Sequence, residues 1–209
     1  MTPNFAAQKN DGNSYVPNMD FSHHIDINNE LTVKIDNSVV DDTVLLASLT
    51  FVALVNQDVV LDIAEAFGRT VKLTSTDAGD MTLIGKDFLG QVMSETITCT
   101  AGTVAGKKAF KEITEMRPAA DLAGDVIIKA GAEYGLPYCA VEIIREVVNG
   151  VASTEGTITA AVSTTPTATT GDTRGTYNPN TAGDGAKDIS VTYVATSELL
   201  GGLYGQIQA

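Results

Sequence analysis

From Leu31 onward, this chain is a succession of short runs of β-branched and apolar residues broken by Gly, Asp and Asn, and that pattern constrains its fold more than any other feature. Residues 31–35 alternate strictly, Leu-Thr-Val-Lys-Ile, which puts one face on a core and the other in water. Residues 59–66 alternate again, with Val59, Leu61 and Ile63 on one face and Asp62 opposite, before Gly68 breaks the run. Residues 69–73, 81–84, 95–99, 110–116, 126–129, 141–148, 157–162 and 189–194 carry the same signature, since such side chains fit a pleated, half-buried surface. Residues 43–55 are almost continuously apolar and predict a buried strand, although their Leu and Ala content leaves a helix open.

The connections read as turns. Asn56-Gln-Asp58, Asp77-Ala-Gly-Asp80, Gly85-Lys-Asp87 and Gly102-Thr-Val-Ala-Gly106 supply turn chemistry. Asn149-Gly150 between apolar runs is the strongest hairpin signal, because both residues tolerate positive φ. Many short strands with regular turns predict an all-β fold, an antiparallel sandwich or barrel-like core. With 209 residues the chain admits one large β domain or two small ones. The expected layout is an arm over 1–29, a β domain or first half of a sandwich over 30–117, and a second β half over 125–209. The boundary is expected near 116–124, where Arg117-Pro118 precedes Ala-Ala-Asp-Leu-Ala-Gly.

Three segments depart from the strand pattern. Residues 1–29 are rich in Asn, Asp, Ser, Pro and Gln and cannot bury enough surface to fold alone, so they read as an extended arm with Phe5, Tyr15, Met19 and Phe21 as apolar anchors. Residues 171–187 are dense in Gly, Asn and Asp and read as a long C-terminal loop, an interaction surface presenting Arg174 and Tyr177. The tail from Leu199 places Leu203 and Tyr204 among glycines, where they could dock on a neighbour.

Charge and side-chain inventory narrow the chemistry. The formal charge is −13, and the densest basic group, Lys107, Lys108 and Lys111, has no interleaved aromatics, so nucleic acid is not an expected partner. Trp is absent and aromatics are 6%, which suits strands better than an aromatic-lined small-molecule pocket or carbohydrate site. Cys99 and Cys139 have no CxxC spacing and sit among apolar neighbours, so two buried reduced thiols are expected. His23 and His24 are adjacent, and neighbouring side chains of an extended segment point apart, so no metal site is expected. No Gly-x-Ser-x-Gly elbow, phosphate loop or dinucleotide turn occurs; catalytic and cofactor residues are expected to be none. Residues 1–18 lack a cationic stretch followed by an apolar run, and the longest apolar stretch falls short of the ~20 residues that span a bilayer, so neither a secretory signal nor a membrane anchor is expected.

Two stretches resemble proteins of tailed-phage virions. Residues 94–113, Ser-Glu-Thr-Ile-Thr-Cys-Thr-Ala-Gly-Thr-Val-Ala-Gly-Lys-Lys-Ala-Phe-Lys-Glu-Ile, resemble a segment common in their structural proteins. Residues 169–179, Thr-Thr-Gly-Asp-Thr-Arg-Gly-Thr-Tyr-Asn-Pro, resemble the C-terminal part of capsid decoration or cement proteins. The resemblance implies a virion structural protein, made in the host cytoplasm, that binds the major capsid protein on the capsid exterior. It also implies a homo-oligomer, a trimer ahead of a dimer. A tail or head-fibre component and a carbohydrate-binding adhesive module are the alternatives; no internal repeat supports a fibre.

Overall fold

The structure, a computed structural model, describes residues 30–36, 39–162 and 165–195. Among these the fold is all-β, without a helix. The strands are β1 (Glu30–Ile35), β2 (Val44–Phe51), β3 (Gln57–Asp62), β4 (Arg69–Ser75), β5 (Ala78–Lys86), β6 (Val92–Thr100) and β7 (Thr103–Ala105). They continue with β8 (Glu112–Pro118), β9 (Gly124–Gly135), β10 (Ala140–Val148), β11 (Val151–Ser153), β12 (Thr157–Thr159), β13 (Thr176–Asn178) and β14 (Ile189–Ala195).

Antiparallel pairing sorts them into three sheets. A terminal sheet has the order β1-β14-β10-β11, a middle sheet β12-β13-β9-β4-β7 with β2 also on β9, and a hairpin sheet β3-β8-β5-β6. Ladders β2–β9, β4–β9 and β1–β14 all cross the 116–124 link, so strands from both sides of it share sheets.

Alternation explains why the sheets pack. In β5 every second residue from Gly79 is buried, and β4 and β14 show the same period. The buried sets of the middle and hairpin sheets meet in one core: Val71, Leu73, Val126 and Ile128 with Leu61, Met81, Leu83, Ile97, Ile113 and Met116. Truncating one of these, such as Leu83→Ala, costs about 2–5 kcal/mol through lost burial and the cavity left behind. A second core joins the terminal sheet to β13 through Val33, Val191, Tyr193, Leu136 and Tyr177, with Ile35, Tyr134 and Ile189 clustered separately.

Local signals translate directly at two turns. Val148 faces Val151 across the β10–β11 hairpin, and Asn149 (φ 51°) and Gly150 (φ 81°) take the positive angles of a type I′ turn. The β5–β6 hairpin closes over Asp87, whose Oδ1 accepts the amide N–H groups of Leu89 and Gln91 at 2.9 Å each.

Elsewhere the structure corrects the sequence. Residues 43–55 do not form one buried strand: β2 ends at Phe51 and lies on the outer side of β9, leaving Val44, Val52, Leu54 and Val55 more than half exposed. An apolar run reads as buried only when both faces are covered, and here one is not. The stretch 102–106 contains β7, and the first part of 171–187 is not an outlying loop, although 180–187 is irregular and largely exposed. Residues 172–177 are buried and include the first two residues of β13, which pair with Gly135 and Tyr134 of β9. Cys99 and Cys139 are free and buried, and burial pushes both thiols up to about 11.

Candidate interaction surface

Strand β1 is the edge of the terminal sheet, and its neighbour β14 runs antiparallel to it in register from Glu30↔Val194 to Ile35↔Ile189. The chain therefore enters the described region at Glu30 and leaves it at Ala195 from the same end of one sheet, on strands about 4.8 Å apart. Across the pair the outward hydroxyls of Thr32 and Thr192 lie 2.9 Å apart. Among the described residues no strand pairs with the other edge of β1, so its backbone donors and acceptors are available to an added strand. Phe5, Tyr15, Met19, Phe21, Leu203 and Tyr204 lie outside the described residues, in the two segments that start from this end.

Arg174 and Tyr177, expected on an exposed loop, are instead buried. Arg174 is 3% exposed, and its Nη2 donates to Asp87 Oδ2 at 2.6 Å while the guanidinium stacks 4.8 Å from the Phe88 ring centroid. Tyr177 is 1% exposed; its hydroxyl donates to the buried Glu146 carboxylate and accepts the Gly156 N–H at 3.0 Å. Burial, reinforced by Glu146, holds the Tyr177 phenol well above its ordinary range. The Gly- and Asn-rich composition that suggested a loop instead lets the backbone thread closely past β12, where a Cβ on Gly175 would stand 2.4 Å from the Thr159 carbonyl oxygen.

Sequence reading missed an apolar corner between β2 and β3. Val52, Leu54, Val55 and Val60 are exposed, and Leu54 takes φ 61° in a turn closed by the Val55 N–H on the Val52 carbonyl at 3.0 Å. A leucine in the left-handed region carries a backbone cost that Asn or Gly would largely avoid. Its sequence signal was the absence of Gly or Asn from a run too long for one strand.

A cleft of about 180 Å³ opens between the end of β1 and the β3–β4 connection, lined among others by Asp36, Val39, Glu65, Phe67 and Tyr134. It is smaller than the roughly 300–1,000 Å³ usual for small-molecule sites. Arg69 beside it is held in place: its guanidinium donates to the Gly131 and Val39 carbonyls and to Glu65, and stacks 4.6 Å from the Tyr134 ring centroid. Among the described residues no group of three or more His, Cys, Asp and Glu side chains is placed to hold a metal ion. No protein-family model matches the sequence, and neither a curated protein nor a solved structure matches it.

Proposed function

We propose that this protein is a virion structural protein that binds the major capsid protein on the outside of an assembled tailed-phage capsid and stabilises the shell, acting as a homo-oligomer. The observation that carries the reading is the common origin of the two terminal segments: 1–29 and 196–209 depart from adjacent strands of one rigid sheet. Two tethers leaving one point hold each other at high effective concentration once either is bound. A lattice that offers both landing sites is therefore favoured over a free subunit, and binding that exists only on the assembled shell stabilises it by mass action. The free edge of β1 gives such a contact a backbone to add to. The charge of −13 suits the capsid exterior, away from packaged DNA.

Purified virions should contain the chain in fixed proportion to the major capsid protein. Purified protein should saturate preassembled capsids that lack it, whereas a chain without residues 1–29 should keep its far-UV spectrum and lose binding. Absence from virions, or undiminished capsid occupancy by the shortened chain, would overturn the proposal.

A further inference from the structure

Strand β1 carries charges that its own chain leaves unanswered. Its outward face presents Glu30, Thr32 and Lys34, all exposed, while Val33 and Ile35 are buried and Leu31 packs against the second core. Across the pair with β14, Glu30 faces Val194 and Lys34 faces Ser190, so neither meets an opposite charge there. Four residues apart on a strand, the two stand about 13 Å from each other, too far to pair. Among the described residues no ion pair includes either side chain.

We infer that in solution the free edge of β1 pairs antiparallel with the β1 edge of a second copy, about a two-fold axis through Thr32. Glu30 of each chain then faces Lys34 of the other at both ends of the seam, and Leu31 faces Val33 on the core side. Opposite residues of an antiparallel pair point to the same face, so the axis must pass through a residue and not between two. Passing through Val33 it would set Glu30 against Asp36, and through Leu31 it would leave Lys34 facing the uncharged Asn28. The Thr32 register alone answers both charges. About four to six backbone hydrogen bonds close the seam. Two four-stranded sheets become one of eight, ordered β11-β10-β14-β1-β1-β14-β10-β11. The cleft lined by Lys34, Ile35 and Asp36 leaves room beside the strand at its far end.

The other edges do not offer this. Strand β3 presents Asp58 and Asp62 outward, and a copy centred on Val60 would set the two carboxylates against each other. On β6 the Thr96 N–H is already taken by the Ala168 carbonyl at 2.7 Å. Strand β2 carries no charge, and two irregularities in its register on β9 blunt it. Strands β7, β11 and β12 are three residues long. An edge pairing antiparallel with its own copy closes at two chains, not the three that the resemblance implies. A seam six residues long is small beside the roughly 1,200–2,000 Å² of stable interfaces, so the dimer should be reversible and grow with concentration. It rests on the homo-oligomer of the proposed function, whose interface it names, and needs no capsid.

Sedimentation of the full chain across a concentration series decides the matter. The wild type should move from the mass of one chain, 21.8 kDa, toward twice that. E30K and K34E each set like charges face to face at both ends of the seam and should weaken the dimer about tenfold or more. The double variant exchanges the pairs and should regain wild-type association. Mixing E30K with K34E, at a concentration where each alone is mostly monomeric, should yield a heterodimer, because every seam charge then meets its opposite in the other chain. An edge covered within one chain, or contact through another surface, gives no such rescue. A wild type at the mass of one chain at every concentration would overturn the inference, as would a trimer or a mixture no more associated than its parts. The wild-type masses stand even if a variant fails to fold. A monomer that still saturates capsids would sink the dimer and leave the capsid reading standing; a dimer absent from virions would do the reverse.

Discussion

Arg174 and Asp87 pair with side chains 4% and 0% exposed, so each is the main compensation for the other's desolvation. Removing one partner of such a pair strands a buried charge. Arg174→Ala should therefore destabilise the protein by about 3–5 kcal/mol, read as a fall in the urea midpoint at unchanged slope. Changing both residues, Asp87→Asn with Arg174→Met, should cost less than the sum of the single changes, because the second removes the charge that the first stranded. Glu95 sets a pH dependence of its own. Its pKa rises from 4.5 to about 7 on folding, so the unfolded chain gives up this proton first. The stability it contributes is fully present below 4.5 and is lost as pH rises through 7. The thermal midpoint should fall between pH 4.5 and 7, and Glu95→Gln should flatten that decline; a wild-type profile with no fall across the interval would contradict the buried-carboxyl account. None of this pairing was legible in the sequence. Asp87 and Arg174 are 87 residues apart, and a polar stretch such as 171–187 reads as solvated until its partners are known.

Turns and edges decide what single elements tolerate. Gly150 has φ 81° and open space where a Cβ would stand, so Gly150→Ala should cost about 1 kcal/mol, all of it backbone conformation. Gly85 in β5 is the opposite case: a Cβ there would lie 1.9 Å from the Glu112 carbonyl oxygen, so Gly85→Ala must force β5 and β8 apart and should cost several times more. Leu54 reverses the sign. Its φ of 61° suits Asn, and its side chain is 70% exposed, so Leu54→Asn should stabilise by about 0.5–1 kcal/mol in chemical denaturation. Elements were legible in proportion to how local their cause is. The Asn149-Gly150 hairpin and the alternating strands β1, β5 and β14 could be read from neighbours in sequence. The three-residue strands β7 and β13 could not, because pairing with distant chain makes them strands, and β2 lost its predicted burial because nothing covers its outer face.

The order of strands within the sheets binds the whole molecule together. Strand β9 receives β4 on one side and both β2 and β13 on the other, and β14 lies between β1 and β10. A fragment ending at residue 123 would keep β2 and β4 but lose their common partner, together with Val126 and Ile128 from the first core. It should show little β signal and aggregate through its bare edges. The full chain should unfold in one cooperative step, and its aromatic residues supply the test. Trp is absent, and Tyr134, Tyr177 and Tyr193 all lie in the clusters under the terminal sheet. Tyrosine fluorescence therefore reports mainly that region, while far-UV dichroism reports all three sheets. Because each sheet draws strands from distant parts of the chain and shared cores join neighbouring sheets, the two urea transitions should coincide in midpoint and slope. A tyrosine transition complete while strand signal persists would mean that the terminal sheet and its core come away alone, leaving the two-sheet sandwich as the independently stable unit.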